Sequence, residues 1–193
     1  MDAKSASEAN TGNTEQDVIR LKTQVLYVSG TGNTERIAEA IYREIPGASK
    51  DILKLDSCFE KYSADTYFVG FWANCGSASV EILEFLSDLH KKNIALFCTC
   101  GMGWNTEYYK KIEKNVSAFI PDDNRYLGAF FCQGKMPIRV RRKYEQMETP
   151  ENHERVELLL RNFDKALLHP DRNDLDHARA FVRAVYDQMN AER

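Results

Sequence analysis

The residues with the clearest chemistry form one short glycine-rich segment. Residues 25–34 read VLYVSGTGNT, an apolar run followed by the loop Ser29-Gly30-Thr31-Gly32-Asn33-Thr34. Apolar residues then recur at helical spacing, at Ile37, Ala38, Ile41 and Ile45. This order predicts a strand, a tight turn and a helix. The N–H groups and hydroxyl groups of such a turn, together with the positive end of the helix, suit a bound phosphate.

The loop differs from two common nucleotide-binding motifs. A Walker loop would end in Gly-Lys-Ser or Gly-Lys-Thr, which is missing, and the third glycine of a dinucleotide fingerprint would fall at Glu35. The loop also contains no lysine. We therefore expect neutral hydrogen bonds and the helix dipole to hold the phosphate, with Arg36 as the only nearby cation.

The loop needs a scaffold, and the apolar patterns along the chain predict one. Strands are predicted at 24–28, 51–55, 67–71, 94–98 and 126–131. Helices are predicted at 33–45, 79–90 and 106–117, and two more follow Thr149-Pro150, the first of them ending at His169-Pro170. Strands that alternate with helices favour a parallel sheet with helices on both faces, an α/β fold.

Composition narrows the class of protein. The 193 residues fit a single domain at 21–193, after a polar stretch at 1–20 that is predicted to be a flexible tail. A net charge of −3 and a pI near 5.9 argue against nucleic-acid binding. No apolar run has the length of a membrane span, and a signal-peptide core is missing. Five cysteines, an odd number spread through apolar segments, predict reduced thiols and a cytoplasmic protein.

The loop at 29–34 resembles the first loop of the flavodoxins, which has the form [Ser/Thr]-x-Thr-Gly-x-Thr and wraps the phosphate of FMN. The resemblance covers roughly residues 24–132. It implies a doubly wound, five-stranded parallel sheet in the order 2-1-3-4-5, here with an extra C-terminal helix. It also implies FMN as the cofactor, bound where the loops after strands one, three and four meet.

Two further loops would then face the flavin. They are Trp72-Ala73-Asn74-Cys75-Gly76 and Thr99-Cys100-Gly101-Met102-Gly103-Trp104. Each sets a tryptophan beside small residues, and a flavin ring needs flat apolar walls and backbone groups along its polar edge. By similarity to flavodoxins, a peptide within 74–77 would contact flavin N5, with Gly76 as the flexible point. The other interpretation makes Trp72 a core residue at a strand end and Trp104 an exposed loop anchor.

Two catalytic classes, the doubly wound phosphatases and the receiver domains, do not fit the positions of the residues that they need. A doubly wound phosphatase needs five residues between its cysteine and its arginine, but six separate Cys132 from Arg139. A receiver domain needs an aspartate where this chain has Phe71-Trp72. Cys75 and Cys100 lie in glycine-rich loops, where a thiol is more reactive than in a core, but packing explains them without covalent catalysis. The four histidines have no metal-ligand spacing. We therefore assign neither a catalytic residue nor a metal ligand.

A basic run follows the fifth strand, at Arg139, Arg141, Arg142 and Lys143. Such a run is typical of a solvated face, which Glu145 and Glu148 would neutralise. The functional interpretation is a docking site for an acidic partner, or for a substrate that carries carboxylate or phosphate. Gln133 and Lys135 leave the strand nearby, and we expect them at the rim of the site.

A narrower resemblance comes from GFWANCG, FCTCGMG, FCQGKMP and NFDKALLHPD. These segments are similar to a flavodoxin-like family of anaerobic bacteria named BilS, some members of which accompany bilirubin reductases and are thought to assist their electron transfer. The resemblance implies an FMN-dependent electron carrier whose redox partner protein is a bilirubin-type reductase. An NAD(P)H-dependent FMN oxidoreductase and a non-catalytic flavin sensor or scaffold remain alternatives. The sequence is compatible with a monomer or a homodimer.

Overall fold

The computed structural model describes residues 22–55, 64–103 and 106–191. The predicted tail at 1–20 and Trp104 lie outside this described part. The strands are β1 (Thr23–Tyr27), β2 (Lys50–Lys54), β3 (Thr66–Trp72), β4 (Asn93–Cys100) and β5 (Arg125–Gln133). The helices are α1 (Asn33–Glu44), α2 (Val80–Ser87), α3 (Thr106–Ser117), α4 (Ile138–Gln146), α5 (His153–Ala166) and α6 (Arg172–Ala191).

The five strands form one sheet in the order β2-β1-β3-β4-β5. Every neighbouring pair is parallel. The predicted α/β fold and its strand order are therefore confirmed. β1 and most of β3 and β4 are buried, which explains why these segments read as continuous apolar runs rather than as alternating ones.

Helices cover both faces of the sheet. One apolar cluster joins α1 and α6 to the sheet, with Ile41 and Val182 among its buried members. The other joins α2 and α3 to the opposite face through residues such as Ile82 and Ile112. Inside the first cluster a Cβ at Gly70 would lie 2.0 Å from the ring of Phe97, so this position must remain glycine for the ring to pack on the strand.

The C-terminal region differs from the prediction. Three helices follow β5, and the last of them, α6, is part of the core against α1 and β5. The additional elements are α4 and α5, which pack on each other. Sequence reasoning missed α4 because no residue of this helix is buried, so it shows no apolar stripe.

His169, Asp171 and Asp174 lie together at the start of α6. The Asp174 carboxylate accepts a hydrogen bond from the Asp171 N–H at 2.8 Å, and the Asp171 carboxylate accepts one from the Asp174 N–H at 3.0 Å. This reciprocal pair is a capping box, with His169 hydrogen-bonded to Asp174 beside it. The helix cap therefore accounts for the cluster. Among the described helices, none has both the length and the apolar character that a bilayer crossing requires.

Candidate functional site

The glycine-rich loop connects β1 to α1 at the carboxyl edge of the sheet. Gly32 has φ +82°, a left-handed conformation that glycine adopts without steric cost, and α1 begins at the next residue. The Ser29 hydroxyl oxygen accepts a hydrogen bond from the Gly32 N–H at 3.1 Å. No side chain caps the helix. The N–H groups of the first turn therefore remain available to an anion, which the helix dipole also favours.

Two residues of this loop tie it to neighbouring segments. Thr34 is buried, and its hydroxyl is hydrogen-bonded to the Thr99 hydroxyl at 2.9 Å. The side-chain amide of Asn33 donates to the Lys135 carbonyl at 2.8 Å and to the Thr31 hydroxyl oxygen at 2.9 Å. The Thr31 hydroxyl therefore keeps its own proton for a ligand. Thr34, by contrast, already has a partner within the protein.

The loop after β3 is a tight hairpin. Asn74 and Ser77 exchange backbone hydrogen bonds of 2.9 and 3.0 Å. Cys75 and Gly76 between them both have positive φ, 50° and 82°, as in a type I′ turn. The Gly76 carbonyl accepts a hydrogen bond from the Asn115 side chain at 2.9 Å. These hydrogen bonds connect the segment, for which the sequence predicts a flexible point at Gly76, to neighbouring groups.

Trp72 precedes this turn at the end of β3 and is 40% exposed. A Cβ at Gly30 would lie 4.0 Å from its indole nitrogen, so the ring approaches the glycine-rich loop. The interpretation of Trp72 as a core residue is therefore wrong. Its ring is free to contact a ligand.

The loop after β4 is fixed by polar contacts from α5. The Gly101 carbonyl accepts hydrogen bonds from Asn162, at 2.8 Å, and from Gln133, at 3.1 Å. Gln133 also donates to the Asn162 amide oxygen at 2.9 Å. Asn162 is 1% exposed, so this is a buried polar network whose members satisfy one another.

The cysteines of this region differ in exposure. Cys75 is exposed, whereas Cys98, Cys100 and Cys132 are buried, and none of these four forms a disulfide. Burial raises the pKa of the Cys100 thiol, and it raises the pKa of the Cys98 thiol further. These buried groups remain protonated thiols at neutral pH, so Cys100 is a poor nucleophile.

The three loops enclose a cavity of about 610 Å³, a volume that is ordinary for a cofactor site. Predicted residues that line it are Gly30, Thr31, Asn33, Trp72, Ala73, Asn74, Cys75, Thr99, Cys100 and Gly101. The other described residues of the predicted set are not part of this lining: Ser29, Gly32, Thr34, Gly76, Met102 and Gly103. Met102 packs on the apolar core, and a Cβ at Gly103 would collide with Gln133.

The remaining wall of the cavity comes from the end of β5 and from α4. Its members are Gly134, Lys135, Met136, Pro137, Arg139, Val140, Lys143 and Tyr144. Lys135 is the rim residue that the sequence predicts, but the others were not assigned to the site. The basic run and the segment FCQGKMP were the only sequence signals for this wall, and neither indicates a contact with the glycine-rich loop.

Comparison with known proteins agrees with this geometry. The flavodoxin domain family matches residues 24–183. A flavodoxin-like domain-containing protein BilS from Clostridioides difficile (strain CD3) is 35% identical over 168 residues, which cover 84% of this chain and 95% of that protein. Its namesake from Clostridium symbiosum (strain WAL-14163) is 29% identical over 175 residues, covering 80% of this chain and 90% of that protein.

Among solved structures, oxidised flavodoxin 2 from Bacillus cereus has a TM-score of 0.53 at 14% identity, covering 86% of this chain and 99% of that chain. This similarity concerns the fold. The family match, in contrast, spans most of the sequence, and the relative from C. difficile is similar along nearly its whole length. The chain therefore belongs to the flavodoxin domain family, among its BilS flavodoxin-like members.

Proposed function

We propose that the chain binds FMN in this cavity and transfers electrons to a redox partner protein. The observation that carries the proposal is the uncapped N-terminus of α1, which opens beside a cavity with an exposed tryptophan in its wall. A phosphate at the helix and a flat aromatic ring against Trp72 use both features at once. Bound FMN would supply one-electron and two-electron redox chemistry.

Different residues would hold the phosphate and the ring of FMN. The first-turn N–H groups of α1 and the hydroxyls of Ser29 and Thr31 hold the phosphate. Trp72 packs on the ring, and the turn at Asn74–Ser77 presents backbone groups to its edge. Among the described residues, the cavity lining contains neither a carboxylate nor a histidine. An electron carrier needs no catalytic acid or base, because the bound flavin would supply the redox chemistry.

The proposal also includes a partner protein and a cellular compartment. The resemblance to BilS proteins supports a bilirubin-type reductase as the partner. Cys75 is exposed and unpaired, which suits the reducing environment of the cytoplasm. We assign this function to one flavodoxin-like domain at 21–193.

The first test is an FMN titration of Ser29→Ala and Thr31→Val, each followed by visible absorption. We expect FMN affinity to fall at least about tenfold in each, because each variant loses a hydrogen bond to a charged group, worth about 1.5–3 kcal/mol. Ser87→Ala is the matched control, since the Ser87 hydroxyl donates only to the Leu83 carbonyl within α2. Equal affinity in all variants would contradict the phosphate assignment.

Anaerobic titration of the FMN complex tests the carrier role. Reduction by dithionite but not by NADH or NADPH supports the carrier. Rapid reduction by a nicotinamide would favour the FMN oxidoreductase instead. A chain that holds no FMN at all would overturn the proposal.

A further inference from the structure

The basic run of α4 has two faces with different surroundings. On one face, Arg141 forms ion pairs with Glu145 and with Asp164 of α5, and its guanidinium lies 5.7 Å from the centre of the Phe163 ring. These contacts account for Arg141 as a structural residue that joins the two helices. It is therefore not available to a partner.

The other face carries Arg139 and Lys143. They are four residues apart, so they project from the same side of the helix, and both line the cavity. Lys135 joins them from the segment after β5. All three are exposed, and no ion pair within the described residues involves them. We call Lys135, Arg139 and Lys143 the cationic rim.

Within the described part of the chain, the charged residues that line the cavity are all positive. No carboxylate among the described residues lines the same cavity, whereas a smaller cavity, which Lys135 also lines, contains Glu35, Arg36 and Glu39. The chain as a whole is acidic, with a net charge of −3. Positive charge is therefore concentrated where the cavity opens, against the balance of the molecule, and such a local field steers approaching charged molecules.

Exposed apolar side chains accompany the rim. Ile138 is 58% exposed beside the cavity residue Pro137, and Trp72 is 40% exposed across the opening. Apolar residues with a polar, solvent-accessible rim around them are typical of protein interfaces. A site for a small anion would instead use buried donors fixed by the protein, but these three cations are exposed and unsupported.

We infer that the cationic rim and Ile138 form the docking surface for an acidic face of a redox partner protein. The inference rests on the proposed function, because the surface surrounds the opening of the cavity to which FMN is assigned. Its rim charges would guide the partner to that opening and would contribute more to the rate of encounter than to the strength of the complex. Arg139 and Lys143 are the members with the clearest common orientation.

The test compares two double charge reversals with the same change in net charge. Arg139→Glu with Lys143→Glu removes the rim, whereas Arg142→Glu with Lys165→Glu alters exposed residues of α4 and α5 outside the cavity lining. The probe is cytochrome b5, an acidic haem protein. One electron passes from the dithionite-reduced FMN protein to each ferric haem, which becomes ferrous, and stopped-flow absorption gives the second-order rate.

At low ionic strength we expect the rim variant to react at least about tenfold more slowly than wild type, and the control within about threefold of it. The difference should disappear at about 1 M salt, where the Debye length falls to about 3 Å. With the basic cytochrome c, the order should reverse. Equal rates for the two double variants would overturn the docking surface. A loss of rate with ferricyanide but not with cytochrome b5 would indicate a small-anion site and would also overturn it.

Association measured without flavin separates the two proposals. Surface plasmon resonance of the purified chain on immobilised cytochrome b5 should show a salt-sensitive association rate that is lower for the rim variant and unchanged for the control. If this pattern appears in a chain that does not hold FMN, the proposed function fails and the docking surface stands. If FMN is held but binding is the same in both variants, the docking surface fails alone.

Discussion

The cavity has two walls of different origin. The loop wall consists of residues 29–34, 72–77 and 99–101, and its groups are backbone amides, hydroxyls, side-chain amides, thiols and the ring of Trp72. The helix wall consists of 134–144, and its polar groups are mostly cations. The loop wall is uncharged and is held by hydrogen bonds to other segments of the chain. The helix wall is charged and depends on packing between α4 and α5.

This difference suggests that the two walls serve different parts of the function. Neutral donors at a helix N-terminus bind a phosphate through the backbone, so they are suited to holding the cofactor. Exposed cations act at longer range and can change without disturbing the core, so they are suited to the choice of partner. Substitutions in the loop wall should therefore change FMN affinity, and those in the helix wall should change reactions with other molecules.

The largest expected effect separates two adjacent residues of β3. Phe71 is 1% exposed, and Phe71→Ala should lower the free energy of unfolding by about 3–5 kcal/mol, because it leaves a cavity in the core. Trp72→Ala should change stability by no more than about 1 kcal/mol but weaken FMN binding at least about tenfold, through the loss of an aromatic contact. Urea unfolding and FMN titration measure the two. Equal destabilisation would mean that Trp72 belongs to the core.

The second expected effect concerns the network that supports the loop after β4. Asn162→Leu removes the donor to Gly101 and leaves Gln133 with one partner fewer, which should cost about 1–3 kcal/mol. Because the loop borders the cavity, the reduction potential of bound FMN should also shift. Urea unfolding and an anaerobic redox titration provide the measurements. A loss of stability with no shift in potential would show that α5 supports the fold but not the site.

The two walls also differ in how far the sequence predicted them. β1 and α1 were placed correctly to within one residue, because a buried β-branched strand, a glycine turn and an amphipathic helix all leave local patterns. Met102 lies in the loop after β4, and Thr34 lies in the first turn of α1. Their orientation was not predictable, because it depends on contacts with Asn162 and Thr99, 60 and 65 residues away along the chain.

The helix wall has no comparable local signal. Its helix buries no residue, so periodicity cannot reveal it, and the pairing of Arg141 with Asp164 spans 23 residues. The same basic run contains a structural arginine and two rim residues. Only the packing of α4 against α5 distinguishes them. A sequence can thus show that charge is present without showing which side chains are already neutralised.

A smaller effect is expected for Thr34 in the loop wall. Thr34→Val should cost about 1 kcal/mol, because it removes the buried hydrogen bond to Thr99. FMN affinity should change by less than about threefold, because the Thr34 hydroxyl already has a partner within the protein. A threefold change in affinity corresponds to well below about 1.4 kcal/mol of binding free energy. Urea unfolding and FMN titration again measure the two. A tenfold loss of affinity with unchanged stability would return Thr34 to the group of residues that bind phosphate.

The smallest effect at neutral pH lies beside the same loop. The Tyr27 hydroxyl donates to the Glu35 carboxylate in the first turn of α1, and burial, followed by that hydrogen bond, raises the pKa of Tyr27 from 10.0 to about 12. The unfolded chain loses this proton near pH 10, whereas the folded chain keeps it until about pH 12. Stability should therefore fall as the pH rises through this interval, by up to about 2 kcal/mol.

Tyr27→Phe should reduce the loss of stability at alkaline pH. At pH 7 it should change the free energy of unfolding by less than about 1 kcal/mol. Some slope will remain, because burial also raises the pKa of Tyr109 and of Tyr126. Urea unfolding at a series of pH values measures both effects. An unchanged slope in the variant would mean that Tyr27 ionises in the folded chain as it does in the unfolded one. The β1–α1 junction would then be open to solvent around the Tyr27 hydroxyl.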